Sequence, residues 1–110
     1  MQSSKEAIDI FLDDVRTAIT AGRCTFTPRE KNMVTLAQLG ILSSDACDIV
    51  YELTHADYVE GPSPDRDYPL DDDFWVFKKY TMGNLIYITL KIRYLEDGAL
   101  SIFSFHIDEM

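Results

Sequence analysis

Residues 74–107, FWVFKKYTMGNLIYITLKIRYLEDGALSIFSFHI, read as three β-strands joined by two tight turns, and this stretch decides the fold. Residues 74–80 are aromatic and β-branched. Residues 85–94 alternate strictly, with Ile86, Ile88, Leu90 and Ile92 on one face and Tyr87, Thr89, Lys91 and Arg93 on the other. Residues 100–107 set Phe103, Phe105 and Ile107 against Ile102, Ser104 and His106. Met82-Gly83-Asn84 and Glu96-Asp97-Gly98 supply the residues that tolerate positive φ in a reversal, so an antiparallel meander is the natural connection. One face of such a sheet is apolar enough to require a cover. The other gathers Tyr87, Lys91, Arg93 and His106.

The preceding segments supply the cover. Ser3 and Glu6 have capping-box spacing, and Ile8, Phe11, Leu12, Val15 and Ile19 recur at helical intervals up to Ala21-Gly22. Asp9, Asp13 and Arg16 lie on the opposite, solvated side. Residues 23–27 form either an extended connector or an added edge strand. Thr27-Pro28-Arg29-Glu30 opens a second helix, with Pro at its first position, that runs to Leu39-Gly40. Ile41-Leu42 then packs as a staple before Ser43 or Ser44, which caps a third helix carrying Ala46, Ile49, Val50 and Leu53. The expected fold is α+β, one domain over residues 1–110: a helical layer over 1–57, an acidic Pro-rich loop over 58–73 and a β-meander over 74–107. Two to three N-terminal helices pack on an antiparallel sheet of three or more strands.

With 110 residues, 46% of them hydrophobic, the chain can bury a core without metal or disulfide staples. Nineteen acids against ten bases give a net charge of −9, which at long range repels nucleic acid. The charge is unevenly spread, and the only acid-free basic island, Lys78, Lys79, Lys91 and Arg93, lies on the meander. Cys24 and Cys47 stand in no metal-ligand or redox spacing and read as two small buried residues in a reducing, cytoplasmic compartment. No apolar run approaches the ~20 residues of a membrane span. There is no Gly-rich phosphate loop, His-x-x-x-His, Cys-x-x-Cys or Gly-x-Ser-x-Gly. Asp71-Asp72-Asp73 lacks the spacing and Gly of a calcium loop and reads as a solvated charge run; no metal or cofactor is expected.

A histidine, a tyrosine and several cations on one sheet face suit metal-free cleavage of a phosphodiester. A base must take the proton of a ribose 2′-hydroxyl, an acid must protonate the departing 5′-oxygen, and fixed cations must stabilise charge on the phosphate. Histidine is the side chain best suited to either proton step near neutral pH.

The order of signals resembles the MqsR family of bacterial type II toxins, messenger-RNA interferases with a RelE-like fold. The resemblance is carried by Ala21-Gly22, Leu36 with Leu39-Gly40-Ile41, Asp48-Ile49-Val50 to Leu53, Asp57-Tyr58, Gly61-Pro62, Trp75-Val76-Phe77, Gly83, Ile86-Tyr87-Ile88, Leu90-Lys91-Ile92 and Ser104-Phe105-His106. It implies cleavage of single-stranded RNA and neutralisation by a cognate, DNA-binding helix-turn-helix antitoxin. The family's strand tyrosine falls on Tyr87, and its basic residue after the terminal Ser-Phe pair falls on His106. A further catalytic lysine of the family has no counterpart after Tyr58, where Val59-Glu60 follows, so Glu60 becomes the candidate base at that position. A family glutamine falls near Val76 or Lys78. The resulting expectation is a catalytic set of His106, Tyr87 and Glu60, with Lys78, Lys91 and Arg93 binding phosphate. The alternative is a non-catalytic module of the same fold whose acidic surface holds a basic partner.

Overall fold

The meander forms as its alternation dictates. A computed structural model describes residues 2–109. Strands β3 (Phe74–Thr81), β4 (Asn84–Arg93) and β5 (Ala99–Ile107) pair antiparallel in succession. The first turn holds Met82 at φ 51° and Gly83 at φ 77° between the paired residues Thr81 and Asn84, the left-handed geometry that matches the twist of a two-residue hairpin.

Two further strands, β1 (Cys24–Phe26) and β2 (Tyr58–Ser63), complete the sheet, in the order β1-β5-β4-β3-β2. Residues 23–27 contain the edge strand β1 (Cys24–Phe26), parallel to β5. Strand β2 (Tyr58–Ser63) pairs antiparallel with β3 inside the stretch expected to be an irregular loop. Gly61-Pro62 disguises it in the sequence, since both residues are poor strand formers. The reason for Gly61 is steric: it sits at φ 124°, and a Cβ there would lie 2.9 Å from both the Phe74 carbonyl oxygen and the Trp75 Cα. Gly61→Ala is expected to cost about 2 kcal/mol or more, read as a lowered urea midpoint with an unchanged slope. The N-terminal segment fastens β2: the Ser3 hydroxyl donates to the Gly61 carbonyl at 2.7 Å and the Ser3 N–H to the Tyr58 hydroxyl at 3.0 Å, which itself donates to the Gly61 carbonyl at 2.6 Å.

Three helices follow from the apolar spacing. Helix α1 (Lys5–Thr20) buries Ile8, Phe11, Leu12, Val15 and Ala18, and α3 (Ser43–Tyr51) buries Ala46, Ile49 and Val50. These meet Ile86, Ile88, Leu90 and Ile92 of β4 in one core, where Phe11 stacks on Trp75 at 4.3 Å. Burying each large side chain contributes roughly 1.5–3 kcal/mol. Arg16 is not merely solvated: its guanidinium donates to the carbonyls of Tyr51 and Leu53 and so ties α1 to the end of α3.

The helix starts differ from expectation by one or two residues. Ser4, not Ser3, caps α1, accepting from the Ala7 N–H at 3.2 Å. Helix α2 (Glu30–Leu39) begins after Arg29, not at Pro28. Ser43 lies inside α3, whose entry is closed by the Asp45 carboxylate accepting from the Leu42 N–H at 2.8 Å.

Helix α2 does a job that sequence did not announce. Beyond the end of β1 the edge of β5 would be unpaired, and there the Asn32 side chain replaces a strand. Its Oδ1 accepts from the Phe105 N–H at 3.0 Å, and its Nδ2 donates to the carbonyls of Phe103 at 3.0 Å and Thr27 at 2.9 Å. Thr35 continues the pattern, its hydroxyl accepting from the Ile107 N–H at 3.3 Å.

Cys24 and Cys47 are not two separate buried thiols. The structure joins them in a disulfide that fastens β1 to α3, a pairing invisible in their spacing because it depends on how those elements pack. Among the described residues no single helix is long and apolar enough to cross a membrane.

Candidate active site on the open sheet face

The pairing register assigns each meander side chain to a face. Lys78, Tyr87 and His106 are cross-strand partners on β3, β4 and β5, forming one row on the side away from the helices. Lys79 pairs with the buried Ile86 and belongs to the other side, so of the two adjacent lysines only Lys78 serves this face. Tyr87 and His106 are half-buried, with ring centroids 5.2 Å apart and planes 24° apart. His106 Nδ1 lies 3.2 Å from the Ile107 carbonyl oxygen. A carbonyl can only accept, so Nδ1 carries the proton in that bond and the Nε2 lone pair is left to take another. Lys78 Nζ is 2.8 Å from an Asp108 carboxylate oxygen, which sets the ammonium at the end of the row. A hollow of about 610 Å³ between α2 and the end of β5, walled by Lys31, Val34 and Gln38, opens onto His106.

A bulge in β5 changes the neighbouring rows. Thr89 pairs with Ser104 but Leu90 pairs with Ile102, leaving Phe103 as an extra residue. The expected phase therefore holds for residues 104–107 and fails before it. Leu100 and Ile102 turn into the core, while Phe103 turns out and remains 37% exposed. There it stands 5.0 Å from the Phe74 ring, with the Arg29 guanidinium 4.5 Å from its own centroid. Arg29 also donates to the Ser104 hydroxyl at 3.2 Å, adding a cation to this face that sequence reasoning missed.

Lys91 and Arg93 face the same side, as alternation requires, but they are not open phosphate ligands. Lys91 is only 3% exposed, and its ammonium bonds Asp65 at 2.8 Å and Asp71 at 2.9 Å and lies 4.3 Å from the Phe74 ring centroid. Arg93 pairs with Asp71 at 3.1 Å. The segment 64–73 is thus folded onto the sheet by its own acids. Asp65 also accepts from the N–H groups of Asp67 and Tyr68, closing a local turn. The sequence showed the cations and the acids, but not that they would find each other.

The charges of this clasp follow its contacts. The Lys91 hydrogen bond, helped by the Asp72 N–H, holds the Asp71 carboxyl at about 2, and the Lys91 hydrogen bond likewise lowers Asp65. Burial alone would lower Lys91; the two carboxylates outweigh it and raise it. A carboxyl depressed on folding contributes stability above its unfolded value near 3.8 and loses it as pH falls through about 2. Amide protection of residues 65–72 is therefore expected to stay constant from neutral pH to about pH 4 and to collapse below about pH 3.

Glu60 is not brought to His106. It pairs with Val76 on β2, exposed and one row over, and β2 lies three strands from β5, about 14 Å at ordinary strand spacing. That separation is too great for both to handle protons on one phosphate. Among the described residues no cluster of three or more His, Cys, Asp or Glu side chains is arranged to hold a metal.

No protein-family model matches the chain, and no curated protein is similar enough to count as a relative.

Proposed function

We propose that this protein is a metal-independent endoribonuclease of the MqsR-like, RelE-like toxin kind, acting on single-stranded messenger RNA. The observation that carries the reading is the Tyr87–His106 stack in register with Lys78, with His106 Nδ1 turned to the Ile107 carbonyl. His106 Nε2 takes the proton of the 2′-hydroxyl as that oxygen bonds to phosphorus. The phosphorus–5′-oxygen bond breaks, and the leaving oxygen is protonated by the Tyr87 hydroxyl or the Lys78 ammonium. Lys78 and Arg29 stabilise the charge on the phosphate. The products are a 2′,3′-cyclic phosphate and a 5′-hydroxyl. Lys91 and Arg93, anchored by the loop, shape the face rather than grip the substrate.

The reading places the protein in the cytoplasm with a neighbouring, DNA-binding antitoxin that neutralises it. Thiols are kept reduced there, so the reading requires that the Cys24–Cys47 bond be dispensable and the activity be the same with and without dithiothreitol. The test is cleavage of single-stranded RNA by the purified chain in EDTA, with end-group analysis of the products. Cyclic phosphate termini and growth arrest on expression without the antitoxin are expected. Absence of cleavage, or cleavage only with a divalent cation, would contradict the proposal.

A second reading, a non-catalytic binding module, is favoured by one specific observation: carboxylates pair with three of the four cations of this face, Asp65 and Asp71 with Lys91 and Arg93, and Asp108 with Lys78. It predicts retention of a basic partner and no growth arrest.

A further inference from the structure

We propose that the hollow beside the Phe74–Phe103 pair is a nucleobase subsite, holding by stacking one base of single-stranded RNA next to the nucleotide whose phosphate lies at His106. The inference rests on the RNA reading above and names where the substrate's neighbouring base goes. The hollow has a volume of about 420 Å³ and lies on the same face as Tyr87 and His106. It is lined by Phe74, Phe103 and Tyr68 and by the cations Lys91 and Arg93 with the carboxylates Asp65 and Asp71 that pair with them.

Three features select a base over other occupants. The bulge turns Phe103 outward from a strand whose neighbours Ile102 and Phe105 are buried, presenting aromatic surface where alternation would hide it. Tyr68, which also lines the hollow, is 68% exposed. Aromatic planes are surfaces on which unpaired bases stack. Finally, the hollow carries no net positive charge to offer a phosphate, because the two cations that line it, Lys91 and Arg93, are matched by the two carboxylates Asp65 and Asp71. An uncharged planar ring fits the hollow; a phosphate does not. Phe103 precedes His106 by three residues, about 10 Å along the strand, so the stacked base belongs to a nucleotide flanking the cleaved one.

Binding of 2′-O-methyl RNA, which cannot be cleaved, tests the subsite separately from catalysis. A mixed-sequence single-stranded oligonucleotide is compared with an abasic strand of the same length by fluorescence anisotropy. The wild-type protein is expected to bind the base-bearing strand about tenfold more tightly. Phe103→Ala should bind both strands alike, and Phe103→Tyr should restore the preference; thermal melting of each variant reports its folding. An unchanged preference in a folded Phe103→Ala variant, or no preference in the wild type, overturns the subsite. Failure of cleavage with the binding preference intact would instead count against the nuclease reading alone.

Discussion

His106→Ala is expected to lower the rate of RNA cleavage by about 10²- to 10⁴-fold, the range for loss of a positioned general base or acid. The effect on the fold should be small by comparison. His106 is half-buried at the end of β5, and its ring touches Tyr87 rather than the helix-covered core. Losing that contact costs about 0.5–1.5 kcal/mol at most. The backbone register against β4 does not depend on the imidazole. A parallel loss of activity and stability would indicate a structural histidine. Loss of activity with a near-native melt identifies a group that meets the substrate.

The largest effect on stability is expected at Asn32. Its side chain is fully buried and makes three hydrogen bonds that stand in for a missing strand. Asn32→Leu keeps the approximate volume but leaves the Phe105 N–H and the Phe103 and Thr27 carbonyls without that partner. Each buried group so abandoned costs about 1–3 kcal/mol, so a total of about 3 kcal/mol or more is expected. For a domain of this size that lowers the melting temperature by roughly 15 °C. Asn32→Asp should be nearly as damaging, because a carboxylate keeps the acceptor for Phe105 but turns a second acceptor toward two carbonyls. A melt within a few degrees of wild type in both variants would show that α2 does not close the edge of β5.

What local pattern could reveal was revealed. The period-two run of β4, the positive-φ residues at Gly83 and Asp97-Gly98, and the apolar stripe of α1 each depend on neighbours in sequence, and each appears where that pattern puts it. The α+β layering follows from them, as does the placement of Tyr87 and His106 on one face, since alternation needs no knowledge of distant residues. The misses share the opposite property. A bulge shifts alternation by one residue without a sequence mark, so Phe103 was assigned to the wrong side. Asn32 has the composition of any surface position on a helix, and only the strand beside it makes it structural. The Lys91 clasp and the Cys24–Cys47 bond join segments 20 to 26 residues apart through packing that no spacing rule encodes. Strand β2 was hidden by Gly61 and Pro62, although the glycine reflects the tight approach of Phe74 and Trp75 rather than a loop.

The most direct test of the Tyr87–His106 pairing is the cleavage rate of one single-stranded RNA in EDTA by wild type, Tyr87→Phe, His106→Ala and the double variant. Groups that serve one phosphate act as a unit, so the double variant should be no slower than about the worse single variant. A double variant that cleaves at the wild-type rate, or whose loss is the full product of the two single losses, would contradict a shared site.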